Sequence, residues 1–325
     1  MNEMNVLLLS QRDIRSLNVT FEDSFAVIRE ALVQHGKKAV LMPPKFGIHP
    51  VAGAHCNSMP SYIPSLGALG IKWVCGFPGN DKKGYPYITG TLILNDDTTG
   101  APIAIMEASW ITAMRTATVT GLVAQALSRE GAETLGLVGT GVQGRFGLKA
   151  ILSVMPKLKR ALIHDTNRDS MESFLAEMKG EAGIDIIPMD NAEGALRTAD
   201  IMVTATSFVQ DPYVKSEWVR RGDLGILVHH RGWENAVFHE ADKLVVDDWA
   251  QTKAYGMEDG GFYGSLPEEH REIGEILAGL KSGRETPEER IVAITCGLSV
   301  EDTALGRMIY DRATQNHVGT YFPFV

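Results

Sequence analysis

Cysteine is scarce in this chain, with three in 325 residues, at Cys56, Cys75 and Cys296. An odd count without tight or ligand-like spacing gives neither a disulfide framework nor a zinc site, so no metal is expected. Long hydrophobic runs are also missing. The opening Met1-Asn2-Glu3-Met4 has no basic start, and Val6-Leu7-Leu8-Leu9 is too short for a signal-peptide core or a membrane span. The expected location is the cytoplasm. Positive charge is in deficit, 31 Lys and Arg against 40 Asp and Glu, for a net charge of −9. That balance argues against a broad nucleic-acid or anionic-membrane surface. No repeat, low-complexity tract or flexible-linker composition is present. What is there, 44% hydrophobic and 22% charged residues, is the profile of a soluble globular protein long enough for two cores.

The pattern changes along the chain. Glu22 to Gly36 carries apolar residues at helical spacing and ends on a glycine. Residues 38–116 read as a sheet-rich layer, with short apolar runs such as Gly70-Ile71-Lys72-Trp73-Val74 and Thr91-Leu92-Ile93-Leu94 punctuated by Gly, Pro, Asn and Asp. From about residue 118, helices alternate with short buried strands. Helices are expected at Val119–Ser128, Phe146–Val154, Ser170–Lys179 and Ala192–Arg197. Strands are expected at Thr134–Val138, Arg160–His164, Ile184–Met189, Ile201–Thr204, Gly225–Val228 and Lys243–Val246. This alternation predicts an α/β fold, a doubly wound parallel sheet of Rossmann type, joined to a separate α+β domain. The last residues, after a helix around Thr303 to Gln315, return to that first domain.

Between the predicted strand Thr134–Val138 and the helix after it lies Gly139-Thr140-Gly141-Val142-Gln143-Gly144. A glycine pattern alone is weak, but here it follows a strand and opens a helix. An acid, Asp165, closes the next strand about twenty residues on. Gly139 permits the tight turn, Gly141 lets backbone amides approach a pyrophosphate, and Gly144 allows close helix–strand packing. The helix N-terminus then offers unpaired N–H groups and positive dipole character to the phosphates. Asp165 suits a ribose 2′-hydroxyl and favours NAD, while Arg168 keeps NADP open. The expected cofactor contacts are Gly139, Gly141, Val142, Gln143, Gly144 and Asp165, with Thr166, Arg168 and Thr206.

Two cations stand in apolar surroundings: Lys72 within Gly70–Val74, and Arg115 in Ala113-Met114-Arg115-Thr116-Ala117 at the start of an apolar helix. Buried cations are costly unless they face a carboxylate, a phosphate or a cavity. The sequence leaves two roles for them, membership of an internal ion pair or capture of a ligand's carboxylate. Lys45, after Pro43-Pro44, is a third candidate.

Thr99-Gly100-Ala101-Pro102-Ile103-Ala104-Ile105-Met106-Glu107, followed by Ile111-Thr112-Ala113-Met114-Arg115-Thr116-Ala117, resembles the ornithine cyclodeaminase/μ-crystallin family. So do the lysine strand Gly70–Val74 with Gly76-Phe77-Pro78-Gly79-Asn80, the dinucleotide loop, and Gly297-Leu298-Ser299-Val300-Glu301-Asp302. The resemblance runs from about residue 8 to residue 316. It implies a substrate-binding and dimerisation domain of residues 1–116 with 304–325, and a dinucleotide-binding domain of residues 117–303. It further implies a homodimer, an active site in an interdomain cleft, and hydride transfer at Cα of an amino acid or its derived imine. By the same resemblance Lys72 and Arg115 bind the substrate α-carboxylate, and Lys45 stands for an arginine with that task. Thr116 would contact the cofactor phosphate.

The sequence also departs from the family. Asn57, two residues before Met59-Pro60, stands where cyclodeaminases carry a glutamate; Asn57 and Met59 remain substrate-side candidates. In Val228-His229-His230-Arg231-Gly232-Trp233-Glu234, Arg231 occupies the place of a family aspartate by simple counting. Arginine is no acid/base near neutrality, so the proton carrier is expected at His229, His230 or Glu234, with His230 and Lys72 as the catalytic candidates. Arg231 would add positive charge toward substrate. The leading expectation is an NAD(P)-dependent amino or imino acid oxidoreductase. A cyclodeaminase that recycles NAD is the alternative, and a non-catalytic small-ligand binding protein is the third.

Overall fold

The computed structural model describes residues 4–207, 209, 211–229, 231–256 and 265–324. The chain divides into two compact units, Met1–Arg115 with Gly297–Val325, and Thr116–Cys296. In chain order, the first unit contains β1 (Asn5–Leu9), α1 (Gln11–Ser16), α2 (Phe21–Gly36), β2 (Phe46–Ile48), β3 (His55–Ile63), β4 (Ala68–Gly76), β5 (Ile88–Asn95) and β6 (Pro102–Glu107). The division falls inside α3 (Ser109–Leu127). The second unit continues with β7 (Thr134–Val138), α4 (Val142–Val154), β8 (Arg160–His164), α5 (Arg168–Met178), β9 (Asp185–Pro188), α6 (Ala192–Leu196), β10 (Ile201–Thr204) and β11 (Leu224–Leu227). It closes with α7 (Asn235–His239), β12 (Lys243–Val246), α8 (Trp249–Gly256), β13 (Arg271–Glu272), α9 (Ile273–Leu277) and β14 (Ile291–Ile294). The chain then returns to the first unit for α10 (Ser299–Gln315) and β15 (Thr320–Pro323).

In the first unit, α1 and α2 begin where the sequence supplies capping boxes, Ser10 with Asp13 and Thr20 with Asp23. Seven strands form one sheet in the order β15-β1-β6-β5-β4-β3-β2, antiparallel except where β1 meets β6. Along β4 burial alternates, so Lys72 and Val74 share the face toward the core. Register places Met59 opposite Lys72 and Asn57 opposite Val74, which puts all four on that face. Helix α10 packs against α2, β3, β4 and β5. Gly306 makes its close approach possible, since a Cβ there would fall 2.2 Å from Leu92 Cδ2. Two further bonds tie the start of α10 to β3: Ser299 Oγ donates to the Pro60 carbonyl (2.8 Å), and the Ser61 and Thr303 hydroxyls lie 2.7 Å apart.

The second unit holds an eight-stranded, all-parallel sheet in the order β13-β12-β14-β11-β10-β7-β8-β9. Strands β7, β10, β11 and β14 are buried at every residue, as expected for strands covered on both faces. From β7 the chain winds outward through β8 and β9, then returns to place β10 on the other side of β7. The topological switch therefore lies between β7 and β10, where doubly wound sheets bind ligands beyond the carboxyl ends of their strands.

Three features differ from the sequence expectation. Helix α3 starts at Ser109, ten residues before the expected Val119, so Arg115 lies inside it and the sheet-rich layer ends at Glu107. Thr112, Thr116, Thr118 and Thr120 are weak helix formers, but Thr116, Thr118 and Thr120 are buried, and tertiary packing overrides propensity. The Glu107 carboxylate accepts from the first amides of the helix, Ser109 N (2.6 Å) and Trp110 N (3.3 Å). Similarly, α10 begins at Ser299, ahead of the expected Thr303. Strand β14, between β11 and β12, and helices α7 to α9 carried no expectation. Among the described residues, no helix is long and apolar enough to cross a membrane.

Candidate active site

In the first unit, Lys72 and Arg115 converge on the first turn of α10. Lys72 Nζ lies 2.6 Å from Asp302 Oδ1, and both side chains are fully buried. Arg115 Nη1 donates to Glu301 Oε2 at 2.8 Å, and its Nε lies 3.2 Å from Asp302 Oδ1. Asp302 thus bridges the two cations, and Lys72 also donates to Thr112 Oγ1 at 3.3 Å. Burial and the nearby Arg115 guanidinium push the Lys72 ammonium down to about 8, against the opposing pull of Asp302 and Glu301. The α10 N-terminus favours two carboxylates in its first turn, through the positive end of the helix dipole. The ion-pair role that the sequence left open is therefore filled.

Around this cluster the sheet arranges the remaining substrate-side candidates. Met59 is buried opposite Lys72, Asn57 is buried on the same face, and Lys45 is buried just before β2. His55 lies within electrostatic reach of Lys45 and His49; burial first, then those charges, holds its imidazole below the ordinary value.

In the second unit, the glycine loop leaves β7 as expected. Gly139 has φ 102°, and a Cβ on it would meet Ala205 O at 2.5 Å and Thr206 N at 3.1 Å. Gly144 packs against the loop so closely that a Cβ would fall 2.0 Å from Gly139 O, whereas the space beside Gly141 is open. Gly141 is the N-cap of α4 and supplies no side-chain cap, unlike Asn167 and Asn191 at the starts of α5 and α6. The first-turn amides of α4 are thus left for an anion. Gln143 Oε1 is buried and accepts no hydrogen bond among the described residues. Val142 is exposed at the head of the helix.

Behind the loop, Asp165 Oδ2 accepts from Thr140 N (2.7 Å) and Thr140 Oγ1 (2.8 Å), while Oδ1 accepts from Asn167 N (2.8 Å). Asp165 therefore orders the loop, and its carboxylate keeps further lone pairs for a ribose hydroxyl. Thr166 and Arg168 are exposed, and Arg168 Nε pairs with Glu172 Oε1 at 3.1 Å. Thr116 is buried in α3.

Past β10 and β11, Thr206 Oγ1 lies 2.6 Å from His229 Nε2 and 3.4 Å from the Tyr213 hydroxyl. Burial holds the His229 imidazole down at about 4. Arg231 is exposed, and its backbone amide donates to His229 Nδ1 at 3.3 Å. His230 lies outside the described residues.

Sequence reasoning passed over Glu301 and Asp302 as partners of the two cations, Thr140 as the loop's anchor, and Tyr213. Glu301 and Asp302 are adjacent acids in the Gly297–Asp302 segment, but nothing in their spacing ties them to residues 72 and 115. For Thr140, the hydroxyl between two loop glycines was the available hint.

Comparison with known proteins follows the same outline. The ornithine cyclodeaminase/mu-crystallin family model matches residues 4–317. The nodulation efficiency protein NfeD of Rhizobium meliloti is 33% identical over 312 residues, covering 96% of this chain and 97% of that protein. The solved structure of Thermococcus litoralis Δ1-pyrroline-2-carboxylate reductase, in complex with NADH and L-proline, superposes with a TM-score of 0.86 at 31% identity. It covers 97% of this chain and 99% of that one. An archaeal alanine dehydrogenase dimer with bound NAD superposes with a TM-score of 0.87 at 30% identity, covering 99% and 100%.

Proposed function

The chain belongs to the ornithine cyclodeaminase/mu-crystallin family, and from that premise we propose that it is an NAD-dependent oxidoreductase of an amino acid or its derived imine. The observation that carries this reading is the buried cluster of Lys72, Arg115, Glu301 and Asp302. Two cations against two carboxylates leave the cluster neutral with its charges separated. Such an array suits a substrate that brings both a carboxylate and an ammonium or iminium, which an α-amino acid or imino acid does. The guanidinium of Arg115 has five N–H donors in a planar fork and can serve more than one carboxylate.

In this proposal the first unit holds the substrate and the second holds the dinucleotide. The residues present fit that cofactor: an uncapped α4 N-terminus, open space at Gly141, the orphaned Gln143 Oε1, and Asp165. When bound, the nicotinamide supplies a hydride donor or acceptor. Lys72 and Arg115 orient the substrate carboxylate, and their partners in α10 hold them in one geometry, so positioning contributes much of the acceleration. The Asp165 carboxylate disfavours a 2′-phosphate, which supports NAD over NADP.

We further propose a homodimer built on the sheet face opposite α10. Phe46, Ser58 and Trp73 form one cross-strand row there, and Phe46 and Trp73 are 65% and 41% exposed. The dimeric alanine dehydrogenase relative supports the dimer itself. A cytoplasmic location is in keeping with three cysteines that form no disulfide and with a nicotinamide cofactor.

The test follows absorbance at 340 nm with NADH or NADPH and a panel of 2-oxo acids with ammonia or amines, cyclic imino acids, and amino acids. Net cofactor oxidation by an imine or its precursors is expected. Ammonia release from ornithine or lysine without net cofactor change would overturn the reading in favour of cyclodeamination. Cofactor binding without turnover across the panel would overturn it in favour of a binding protein.

A further inference from the structure

Thr206 and Tyr213 lie in the connection that follows β10, His229 follows β11, and the Thr206 hydroxyl meets both of the others. Their arrangement has a definite polarity. A backbone amide can only donate, so the Arg231 N–H bond to His229 Nδ1 makes that nitrogen the acceptor of a neutral ring. The ring proton is then on Nε2, and the bond to Thr206 Oγ1 runs from histidine to threonine. Having accepted from His229, the Thr206 hydroxyl must aim its own proton elsewhere, toward Tyr213 or toward a ligand. The Tyr213 hydroxyl can rotate between accepting from Thr206 and donating to it; burial pushes its phenol up to about 12, so it stays protonated.

The backbone is shaped around this group. Gly232 has φ 112°, and a Cβ on it would lie 2.8 Å from Tyr213 Cε1. The Gly232 carbonyl accepts from both Tyr213 N and Val214 N at 2.8 Å. The group also borders the dinucleotide loop, because the missing Cβ of Gly139 is what lets residues 205 and 206 lie against it. Asp165, suited to one ribose, follows β8 on one side of β7. The diphosphate belongs at the end of β7. An extended dinucleotide then carries its nicotinamide half to the other side, over β10 and β11.

Resting on the cofactor assignment above, we propose that His229 and Tyr213 are positioning residues that fix the Thr206 hydroxyl as a hydrogen-bond donor to the nicotinamide carboxamide oxygen. The group thereby sets the orientation of the ring and so which face of it meets the substrate.

Calorimetric titration of the full-length protein with NADH and with ADP-ribose, which lacks the nicotinamide, tests the proposal. Thr206→Val is expected to weaken NADH about tenfold, the worth of one well-placed hydrogen bond, and to leave ADP-ribose unchanged. Thr206→Ser restores NADH affinity, and His229→Phe repeats the pattern of Thr206→Val. Nitrogen-15 NMR of the wild type is expected to show His229 protonated on Nε2 and accepting on Nδ1. Equal weakening of both ligands, unchanged NADH affinity in Thr206→Val, or the opposite tautomer overturns the proposal alone. A wild type that binds neither ligand overturns the cofactor assignment as well.

Discussion

Gly297 has φ 83°, and its missing side chain makes room for Arg115: a Cβ there would fall 2.0 Å from the guanidinium Nη1. The same short segment, four and five residues later, supplies Glu301 and Asp302 to Arg115. One stretch of chain therefore both cradles the cation and neutralises it.

Replacing Gly297 with alanine should displace the guanidinium and strain the backbone, at a cost of about 1–3 kcal/mol. Substrate KM should rise while NADH affinity holds. Chemical denaturation and steady-state kinetics measure both effects, and an unchanged KM would remove the cradle role.

Asp302 is the common partner of Lys72 and Arg115, so Asp302→Asn leaves two buried cations facing one carboxylate. Loss of a partner from a buried pair costs about 3–5 kcal/mol. The double change Lys72→Met with Asp302→Leu should recover much of that stability without recovering activity. Urea unfolding of the three proteins decides it; a single variant as stable as the wild type would contradict the geometry.

Lys72 ionises at about 8 in the folded chain, below its ordinary 10.5. Between these values the unfolded chain binds more protons, so stability should rise with pH across that window. Substrate capture moves the other way, because the ammonium is lost: kcat/KM should fall above about pH 8. Arginine stays charged, so Lys72→Arg should abolish that break even if its overall rate is low. A break that persists in the variant assigns it to another group.

The two helix-side glycines of the dinucleotide loop should separate in their effects. Gly141→Ala has open space and should fold normally, yet weaken NADH by blocking the approach of the diphosphate. Gly144→Ala collides with the Gly139 carbonyl and should lower the melting temperature as well. Thermal melts with and without NADH distinguish the pair; identical behaviour would argue against the loop geometry.

Charge placed on the exposed sheet row should split the proposed dimer. Phe46→Asp with Trp73→Glu is expected to sediment as a monomer while its thermal unfolding stays cooperative. A dimer that survives this change uses another surface.

Much of the glycine loop and its flanking elements was legible before folding, because these features are neighbours in sequence. A buried strand, three glycines, a helix start and Asp165 follow one another from residue 134 to residue 165. Each expresses a local rule of turn chemistry or chain reversal. Lys72 and Arg115 were visible for a similar reason, as charges in apolar runs, and the resemblance gave them a task. Their partners were not visible. Two acids opening a helix look like any solvated first turn, and nothing in spacing links residue 302 to residue 72. That pairing exists only because α10 packs on β4 and removes the water between them, and an ion pair's worth depends on that removal. The early start of α3 and the central place of β14 were settled the same way. Local backbone preference is written along the chain, whereas compensation of buried charge and direction of buried hydrogen bonds depend on which distant groups are desolvated together.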